Sequence, residues 1–209
     1  MLDHEFIKSP DKTSKRLLVA LHGLGDSIEG YRWLPNALQQ SGLNYVLVNA
    51  PDEYYGGFSW YDLMGDAKAG VERSRSLLFE LLDRFRREGF PTEETILFGF
   101  SQGCLMTIET GCRYPHKLAG LIGVSGYAHA PDELVNEFSP GAREQRFLIT
   151  HGTADPLIPI DKSRQHIELL KAHGLRIEWV EFQKVHTIDG EKELSVIRQF
   201  IERAYEGLN

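Results

Sequence analysis

Short apolar segments alternate with longer amphipathic segments along the chain. In the short segments apolar residues stand at successive positions, which is typical of strands covered on both faces, as in a parallel sheet. In the longer segments apolar residues recur at helical spacing, as Val71, Leu78 and Leu82 do, and this predicts helices with one buried face. The predicted strands are 16–21, 45–48, 95–100, 118–124, 146–150 and 177–182, and the predicted helices are 31–40, 66–88, 103–113, 161–173 and 190–205.

The regular alternation of strand and helix predicts an α/β fold, with a mostly parallel central sheet and helices on both faces. A length of 209 residues suits a single domain, 1–209. In such sheets ligands bind outside the carboxyl ends of the strands, so functional residues are expected in the loops that follow the strands. One of these loops leads into the polar segment 128–144, which fits either a small cap over the site or a surface connection.

Charge and hydropathy disfavour several classes of partner. The net charge of −7 argues against nucleic acid or an anionic membrane as the main partner, because both favour a basic surface. The apolar run 17–21 is too short to span a bilayer, and residues 1–16 lack the apolar core of a secretory signal. We therefore expect neither nucleic-acid binding nor integral membrane association.

The two cysteines, Cys104 and Cys112, fall in one predicted helix. Eight residues of helix separate them by about 12 Å of rise, which is beyond the reach of a disulfide. They are expected to be buried thiols, as suits a cytoplasmic protein. Their spacing fits no zinc site and the chain has no dinucleotide motif, so neither a metal nor a cofactor is expected.

Residues 99–103, Gly-Phe-Ser-Gln-Gly, match the pattern G-x-S-x-G between a predicted strand and a predicted helix. In this context a sharp turn lifts the hydroxyl of Ser101 above the sheet edge, and small flanking residues avoid collisions. The alternative is that Ser101 caps the helix and that Gly99 and Gly103 are ordinary turn residues. A catalytic role requires a base and a carboxylate that orients the base.

Both partners follow in the order that this fold requires, serine, then acid, then histidine. Asp155 comes after the fifth predicted strand and His186 after the sixth. The sequence therefore predicts a triad in which Ser101 attacks an acyl carbonyl, His186 transfers the proton, and Asp155 orients and stabilises the imidazolium.

Other histidines and aspartates of the chain are alternatives for these roles. We expect His22 and His151 to be buried and bonded to backbone, and His166 and His173 to lie on a helix surface. His129 is the strongest competitor for the base, although it precedes the candidate aspartate. The weaker alternatives to Asp155 stand at predicted helix starts, and they are Asp161 and Asp189.

The oxyanion of a tetrahedral intermediate needs two hydrogen-bond donors. In the G-x-S-x-G context these are the amide after the nucleophile, here Gln102, and an amide from an early strand–helix loop, here Leu24. Gly23 and Gly25 would let the backbone of Leu24 approach a substrate closely. A phosphate-binding loop is disfavoured, because the segment lacks the lysine and spacing of G-x-x-x-x-G-K-[ST].

Five ordered segments together resemble the acyl-protein thioesterase/carboxylesterase (phospholipase/carboxylesterase) family of α/β-hydrolases. They are LHGLGDS at 21–27, GFSQG at 99–103, VSGY at 124–127, HGTADPLIP at 151–159 and the late His186. The resemblance extends over about residues 16–204. It implies the α/β-hydrolase fold and hydrolysis of small-molecule carboxylic esters or thioesters without a cofactor, often by a homodimer.

The same resemblance implies that Trp60 lines the acyl pocket and that Ser125 and Leu157 border it. The aromatic residues around Trp60 fit either a pocket wall or a separate cluster beneath a loop. Val185 stands where the family usually has glycine. The segment 51–60 is shorter than in the thioesterase members of the family that hold long acyl chains there. This favours small or medium acyl esters as substrates. We therefore expect a serine esterase, with an acyl-thioesterase and a non-catalytic binding protein as alternatives.

Overall fold

The computed structural model describes residues 1–206 and has a seven-stranded central sheet. Along the chain the strands are β1 His4–Ile7, β2 Leu17–Leu21, β3 Asn44–Val48, β4 Asp52–Tyr54, β5 Gly57–Ser59, β6 Thr95–Phe100, β7 Gly120–Val124, β8 Arg146–Gly152 and β9 Arg176–Phe182. The order across the sheet is β1-β3-β2-β6-β7-β8-β9. All neighbouring pairs are parallel except β1 and β3, and β4 and β5 form a separate antiparallel hairpin.

Helices cover both faces of the sheet. They are α1 Leu34–Leu38, α2 Ala67–Arg87, α3 Gln102–Arg113, α4 Pro131–Leu134, α5 Ile160–Ala172 and α6 Gly190–Tyr205. Alternate residues of β2 show the two layers, since Leu17 and Val19 belong to the core cluster that contains residues of α2, α3 and α5, whereas Leu18 belongs to the cluster that contains residues of α1 and α6. The mostly parallel sheet with helices on both faces is confirmed.

The sequence pattern did not predict β1, β4 or β5. Strand β1 is only half-buried and lies at the edge of the sheet, so its sequence mixes polar and apolar residues. The hairpin contains acidic residues and turns through Tyr55 and Gly56, which both have positive φ. The predicted helix 31–40 is shorter in the structure, where α1 begins at Leu34 and ends at Leu38. It ends there because the next residue, Gln39, has a left-handed backbone with φ of 54°.

Segment 128–144 packs beside the end of α3. Its one α-helix is α4, whose Leu134 is fully buried. Further along, the Ser139 amide donates a hydrogen bond to the Cys112 carbonyl at 2.8 Å, and Arg113 pairs with Glu137 at 2.6 Å. These contacts fix the segment against the body of the domain.

The cysteines are both buried in α3 as free thiols. Burial raises the pKa of the Cys104 thiol to about 12, and it raises that of Cys112 also. Both thiols are therefore protonated at neutral pH, which makes them poor nucleophiles.

Helix α2 has 21 residues and is amphipathic, with Val71, Leu78 and Leu82 on its buried face. In the part of the chain that the structure describes, no helix combines the length and apolar character needed to cross a bilayer.

The first turn of helix α3 lies in close contact with the backbone of β2 and β6. A Cβ atom at Gly103 would overlap the carbonyl oxygen of Leu21, and one at Gly99 would overlap the carbonyl oxygen of Gly103. Glycine at these positions lets the first turn of α3 lie directly against the ends of β2 and β6.

We expect Gly103→Ala to lower the free energy of unfolding by about 1–3 kcal/mol, because the added methyl group must push helix and strand apart. Urea denaturation followed by circular dichroism measures this change. Gly42→Ala is the matched control, since no atom lies within 4 Å of the corresponding Cβ position. Equal midpoints for the two variants would contradict the close contact.

Candidate active site

Ser101 lies in the sharp turn between β6 and α3. Its backbone has φ of 55° and ψ of −114°, a conformation that non-glycine residues rarely adopt and that stores strain. The turn is held by a hydrogen bond of 2.9 Å from the Ser101 amide to the Val124 carbonyl at the end of β7. The hydroxyl makes no capping bond to α3, so the capping alternative does not hold.

The structure brings Ser101, His186 and Asp155 together from three different loops. Nε2 of His186 lies 2.9 Å from the Ser101 hydroxyl oxygen, and Nδ1 lies 2.7 Å from Oδ2 of Asp155. The Asp155 side chain is completely buried, and its Oδ1 accepts hydrogen bonds from the amides of Leu157 and Ile158, each at 2.9 Å.

The environment of Asp155 keeps its carboxyl group ionised. Burial alone would raise its pKa, but the hydrogen bonds from Ile158, His186 and Leu157 outweigh burial and hold the pKa below the ordinary value of 3.8. An ionised carboxylate can only accept hydrogen bonds, so Nδ1 of His186 must donate to it. Nε2 of His186 is then free to accept the Ser101 proton.

His22 is a buried histidine whose ring bonds backbone groups. Its Nδ1 donates to the Gly23 carbonyl at 2.6 Å, and its Nε2 accepts from the Ala50 amide at 3.0 Å. Burial lowers its pKa, so the ring is neutral. His22 therefore holds the chain after β2 and β3 in place, as expected from the sequence.

His151 lies beneath the loop that carries Asp155. Its Nε2 donates to the Ile158 carbonyl at 2.9 Å and lies 3.6 Å from Oδ2 of Asp155. Burial lowers the pKa of His151. The expectation that this histidine is bonded to backbone is thus met as well.

The remaining rivals are remote from the serine hydroxyl. Nδ1 of His166 lies 2.9 Å from the Ala128 carbonyl, and Nδ1 of His173 lies 2.9 Å from the Leu169 carbonyl. His129 is not among the residues that line the cleft at Ser101. Of the rival aspartates, Asp161 pairs with Arg164 at 2.6 Å, and Asp189 stands at the start of α6.

The amides of Leu24 and Gln102 both belong to residues that line the cleft beside Ser101. Within residues 1–206, neither amide donates a hydrogen bond to another group of the protein. The Leu24 turn is held from behind, because Gly25 donates to the Phe58 carbonyl at 2.8 Å and the Phe58 amide donates to Asp26 at 2.9 Å. Gly57 makes this approach possible, since a Cβ atom there would overlap the Gly25 carbonyl.

Trp60 does not line the cleft, which corrects the expectation from the sequence. Its side chain is completely buried, and its indole N–H donates to the His22 carbonyl at 2.9 Å. The Trp60 amide donates to the side-chain oxygen of Gln102 at 2.9 Å, and the side-chain nitrogen of Gln102 donates to the Tyr61 carbonyl at 3.0 Å. Trp60 therefore supports the site from below, and its neighbour Tyr61 lines the cleft.

Ser125 does not border the cleft either. The residue is completely buried with φ of 52°, and its amide donates to the Thr150 carbonyl at 2.8 Å. This bond ties the end of β7 to β8 and turns the side chain into the core. Tyr127, in the same VSGY segment, lines the cleft in its place.

Leu157 does line the cleft and is 71% exposed, so it stands at the rim. The cleft has a volume of about 510 Å³. No residue of segment 128–144 lines it, and whether this segment acts as a cap stays a prediction. The lining residues are Gly23, Leu24, Asp26, Tyr61, Leu63, Phe100, Ser101, Gln102, Tyr127, Leu157, Ile158, Pro159, Lys162 and His186.

A second groove of about 340 Å³ adjoins the cleft, with Leu24, Tyr61 and Leu63 as shared walls. Tyr61 is one of the aromatic residues around Trp60 that the sequence left open between a pocket wall and a separate cluster, and Leu63 and Lys162 were not predicted to line the cleft. Tyr61 could have been found from its position beside Trp60, whereas Leu63 and Lys162 carry no signal of their own. In the described part of the chain no three histidine, cysteine or acidic side chains are grouped to hold a metal ion.

Comparison with known proteins places this geometry in a family. The family model described as Phospholipase/Carboxylesterase matches residues 2–205. The chain is 30% identical to acyl-protein thioesterase 1 of Candida albicans, with 96% of each chain covered. It is 28% identical to the solved structure of esterase PE8, with a TM-score of 0.83 and coverage of 97% of this chain and 99% of that one.

The structure of Zea mays acyl-protein thioesterase 2 has 22% identity and a TM-score of 0.80, with 97% of this chain and 98% of that one covered, and it shares the fold. The family match extends over nearly the whole chain, and the serine turn lies at the carboxyl edge of a mostly parallel sheet. The chain therefore belongs to the phospholipase/carboxylesterase family and is a serine hydrolase with the α/β-hydrolase fold.

Proposed function

We propose that this enzyme hydrolyses carboxylic esters of small or medium acyl chains through a covalent acyl-enzyme. The observation that carries the proposal is the hydrogen-bonded series from Ser101 through His186 to Asp155, with distances of 2.9 Å and 2.7 Å, at the wall of the cleft. The series supplies a nucleophile, a base with a fixed tautomer, and a buried anion behind the base.

In the first half of the reaction the Ser101 oxygen attacks the ester carbonyl while Nε2 of His186 takes the hydroxyl proton. The imidazolium that forms is stabilised by the Asp155 carboxylate. His186 then gives the proton to the departing alcohol oxygen, which leaves the acyl group bonded to Ser101. Water attacks this acyl-enzyme in the second half, with His186 again removing and returning the proton.

The amides of Leu24 and Gln102 are the proposed donors to the oxyanion. Both line the cleft next to Ser101 and are free of other hydrogen bonds within the described residues, so they can point at the charge that develops on the carbonyl oxygen. Gln102 is also the first residue of α3, where the helix dipole favours negative charge. Each such donor is worth about 10²–10³ in rate.

The size of the cleft supports the preference for small or medium acyl groups. Its volume of about 510 Å³ must hold both acyl and leaving groups, and the fully buried side chains of Trp60 and Ser125 add no space to it. The exposed Leu157 and Leu63 supply apolar walls at the open side, and the buried Tyr61 supplies another wall. The homodimer and the cytoplasmic location that the sequence implies stay predictions.

Thioester hydrolysis by the same residues is the second candidate. It is favoured by the 30% identity to a relative named acyl-protein thioesterase 1. A thioester would pass through the same acyl-enzyme, with a thiol as leaving group. A non-catalytic binding protein is disfavoured, because such a protein has no need to keep a strained serine within 2.9 Å of a histidine base.

Ser101→Ala should lower kcat on p-nitrophenyl butyrate by about 10⁴-fold or more, because no other group in the cleft can take the place of the nucleophile. A fluorophosphonate probe should label the parent protein at Ser101 and leave the variant unlabelled, as read by intact mass. The melting temperature should stay within a few degrees, since the hydroxyl caps no helix. A folded parent protein that the probe does not label would contradict the enzyme proposal.

Asp155→Asn should lower kcat by about 10⁴-fold, because the amide can donate to Nδ1 of His186 and so stabilise the wrong tautomer. Steady-state kinetics on the same ester measures the effect. Asp161→Asn is the matched control, since this exposed carboxylate pairs with Arg164 on the surface and should be replaced without loss. Full activity of Asp155→Asn would rule out the proposed role.

A series of p-nitrophenyl esters and acyl thioesters tests the substrate class. We expect butyrate and octanoate esters to give a higher kcat/KM than palmitate, because a cleft of about 510 Å³ must hold the alcohol group as well as the acyl chain. The Ser101→Ala variant supplies the background rate for each compound. An optimum at the palmitoyl thioester would overturn the proposed chain length and favour the thioesterase alternative.

A further inference from the structure

A buried ion pair lies two residues from His186, in the loop between β9 and α6. The Lys184 ammonium is 2.6 Å and 2.7 Å from the two carboxylate oxygens of Glu193, in the first turn of α6. Lys184 is 5% exposed and Glu193 is 0% exposed. Val185, which stands where the family usually has glycine, directly follows this lysine.

The pair joins three elements of the fold. Lys184 also donates to the carbonyl of Thr187 at 2.7 Å, so its side chain links the residues before and after His186. Glu193 accepts two more hydrogen bonds, from the Thr150 hydroxyl on β8 at 2.5 Å and from the Asp189 amide at 2.6 Å. Both carboxylate oxygens and the ammonium therefore have several polar partners.

The backbone of Lys184 is fixed to the loop that leads to Asp155. Its carbonyl accepts a hydrogen bond from the Ala154 amide at 3.1 Å. Gly152 allows this contact, because a Cβ atom there would overlap the Lys184 carbonyl. By contrast, the residues on either side of His186 are exposed, with Val185 at 55%, so apolar burial does little to hold this part of the loop.

Stability is a weak reason to bury such a pair. Burial lowers the pKa of Lys184, with Glu193 opposing the shift, so removing these charges from water has a cost. Replacing a buried ion pair with uncharged groups of similar size is often neutral or stabilising, whereas removing one partner alone costs about 3–5 kcal/mol. A geometric role explains why the charges converge around the residues next to His186.

We propose that Lys184 and Glu193 are positioning residues that hold the His186 loop so that Nε2 meets the Ser101 hydroxyl and Nδ1 meets Asp155. The inference rests on the proposed function, because it assigns the pair to the placement of the proposed base. A base displaced by about 1 Å can cost about 10²-fold in rate while substrate binding in the cleft is unchanged.

The double variant Lys184→Met/Glu193→Gln tests this role. It removes both charges together and keeps a side-chain oxygen that can accept from Thr150 and Asp189. We expect a melting temperature within a few degrees of the parent, an unchanged KM for p-nitrophenyl butyrate, and a kcat lower by about 10-fold or more. A purely structural pair would instead leave kcat and KM unchanged in the folded double variant, and that result would overturn the proposal.

The matched control is Lys68→Met/Glu133→Gln, which removes an exposed ion pair of 2.7 Å between the starts of α2 and α4. It should leave kcat, KM and melting temperature as in the parent. If Lys184→Met/Glu193→Gln does not fold, Glu193→Asp, which keeps both charges and shortens one side chain, is measured in the same way. A folded single variant with reduced kcat and unchanged KM supports the role, and one with parental kcat contradicts it.

A measurement independent of turnover separates this inference from the proposed function. The proton that His186 donates to Asp155 should give a low-field nuclear magnetic resonance signal in the parent. The double variant should lose or shift this signal, whereas an identical signal would overturn the proposal. If the parent shows the signal but has no Ser101-dependent turnover, the proposed function fails while the positioning role still stands.

Discussion

The close contact between α3 and the ends of β2 and β6 is the constraint on which the site depends. Bare backbone at Gly99 and Gly103 lets the helix start immediately behind Ser101, and the bond from the Ser101 amide to Val124 holds the turn in its strained conformation. Strain of this kind costs about 1–3 kcal/mol and persists only where the surrounding structure fixes it. The same contact brings the first amide of α3 to the wall of the cleft, so nucleophile and proposed oxyanion donor are placed by one feature.

Around this turn, buried polar groups set the positions of the other loops. Asp155 is held by two amides, His22 bonds the chain after β2 and β3, and Lys184 with Glu193 braces the loop of His186. Each loop is thus attached through hydrogen bonds or charges. Such attachment is directional, which suits a site whose chemistry depends on distances of 2.7–2.9 Å.

The six parallel strands and the chain order of the triad could be predicted from the sequence, because continuous apolar runs and the residues at strand ends are local signals. The positions of the Trp60 and Ser125 side chains could not be predicted, because they depend on partners that are distant in the chain. The Trp60 amide bonds Gln102, 42 residues on, and its indole bonds His22, 38 residues back. Strand β1 escaped detection for a related reason, since an edge strand needs burial on one side only and shows no continuous apolar run.

Gln102 serves two surfaces at once. Its amide lines the cleft as a proposed oxyanion donor, while its side chain bonds the backbone of Trp60 and of Tyr61, another lining residue. In the proposed mechanism, one residue therefore helps to set the positions of both the oxyanion donor and the Tyr61 backbone. A sequence change that enlarges the cleft near Tyr61 is then expected to displace that donor as well, so substrate range and reaction rate would change together.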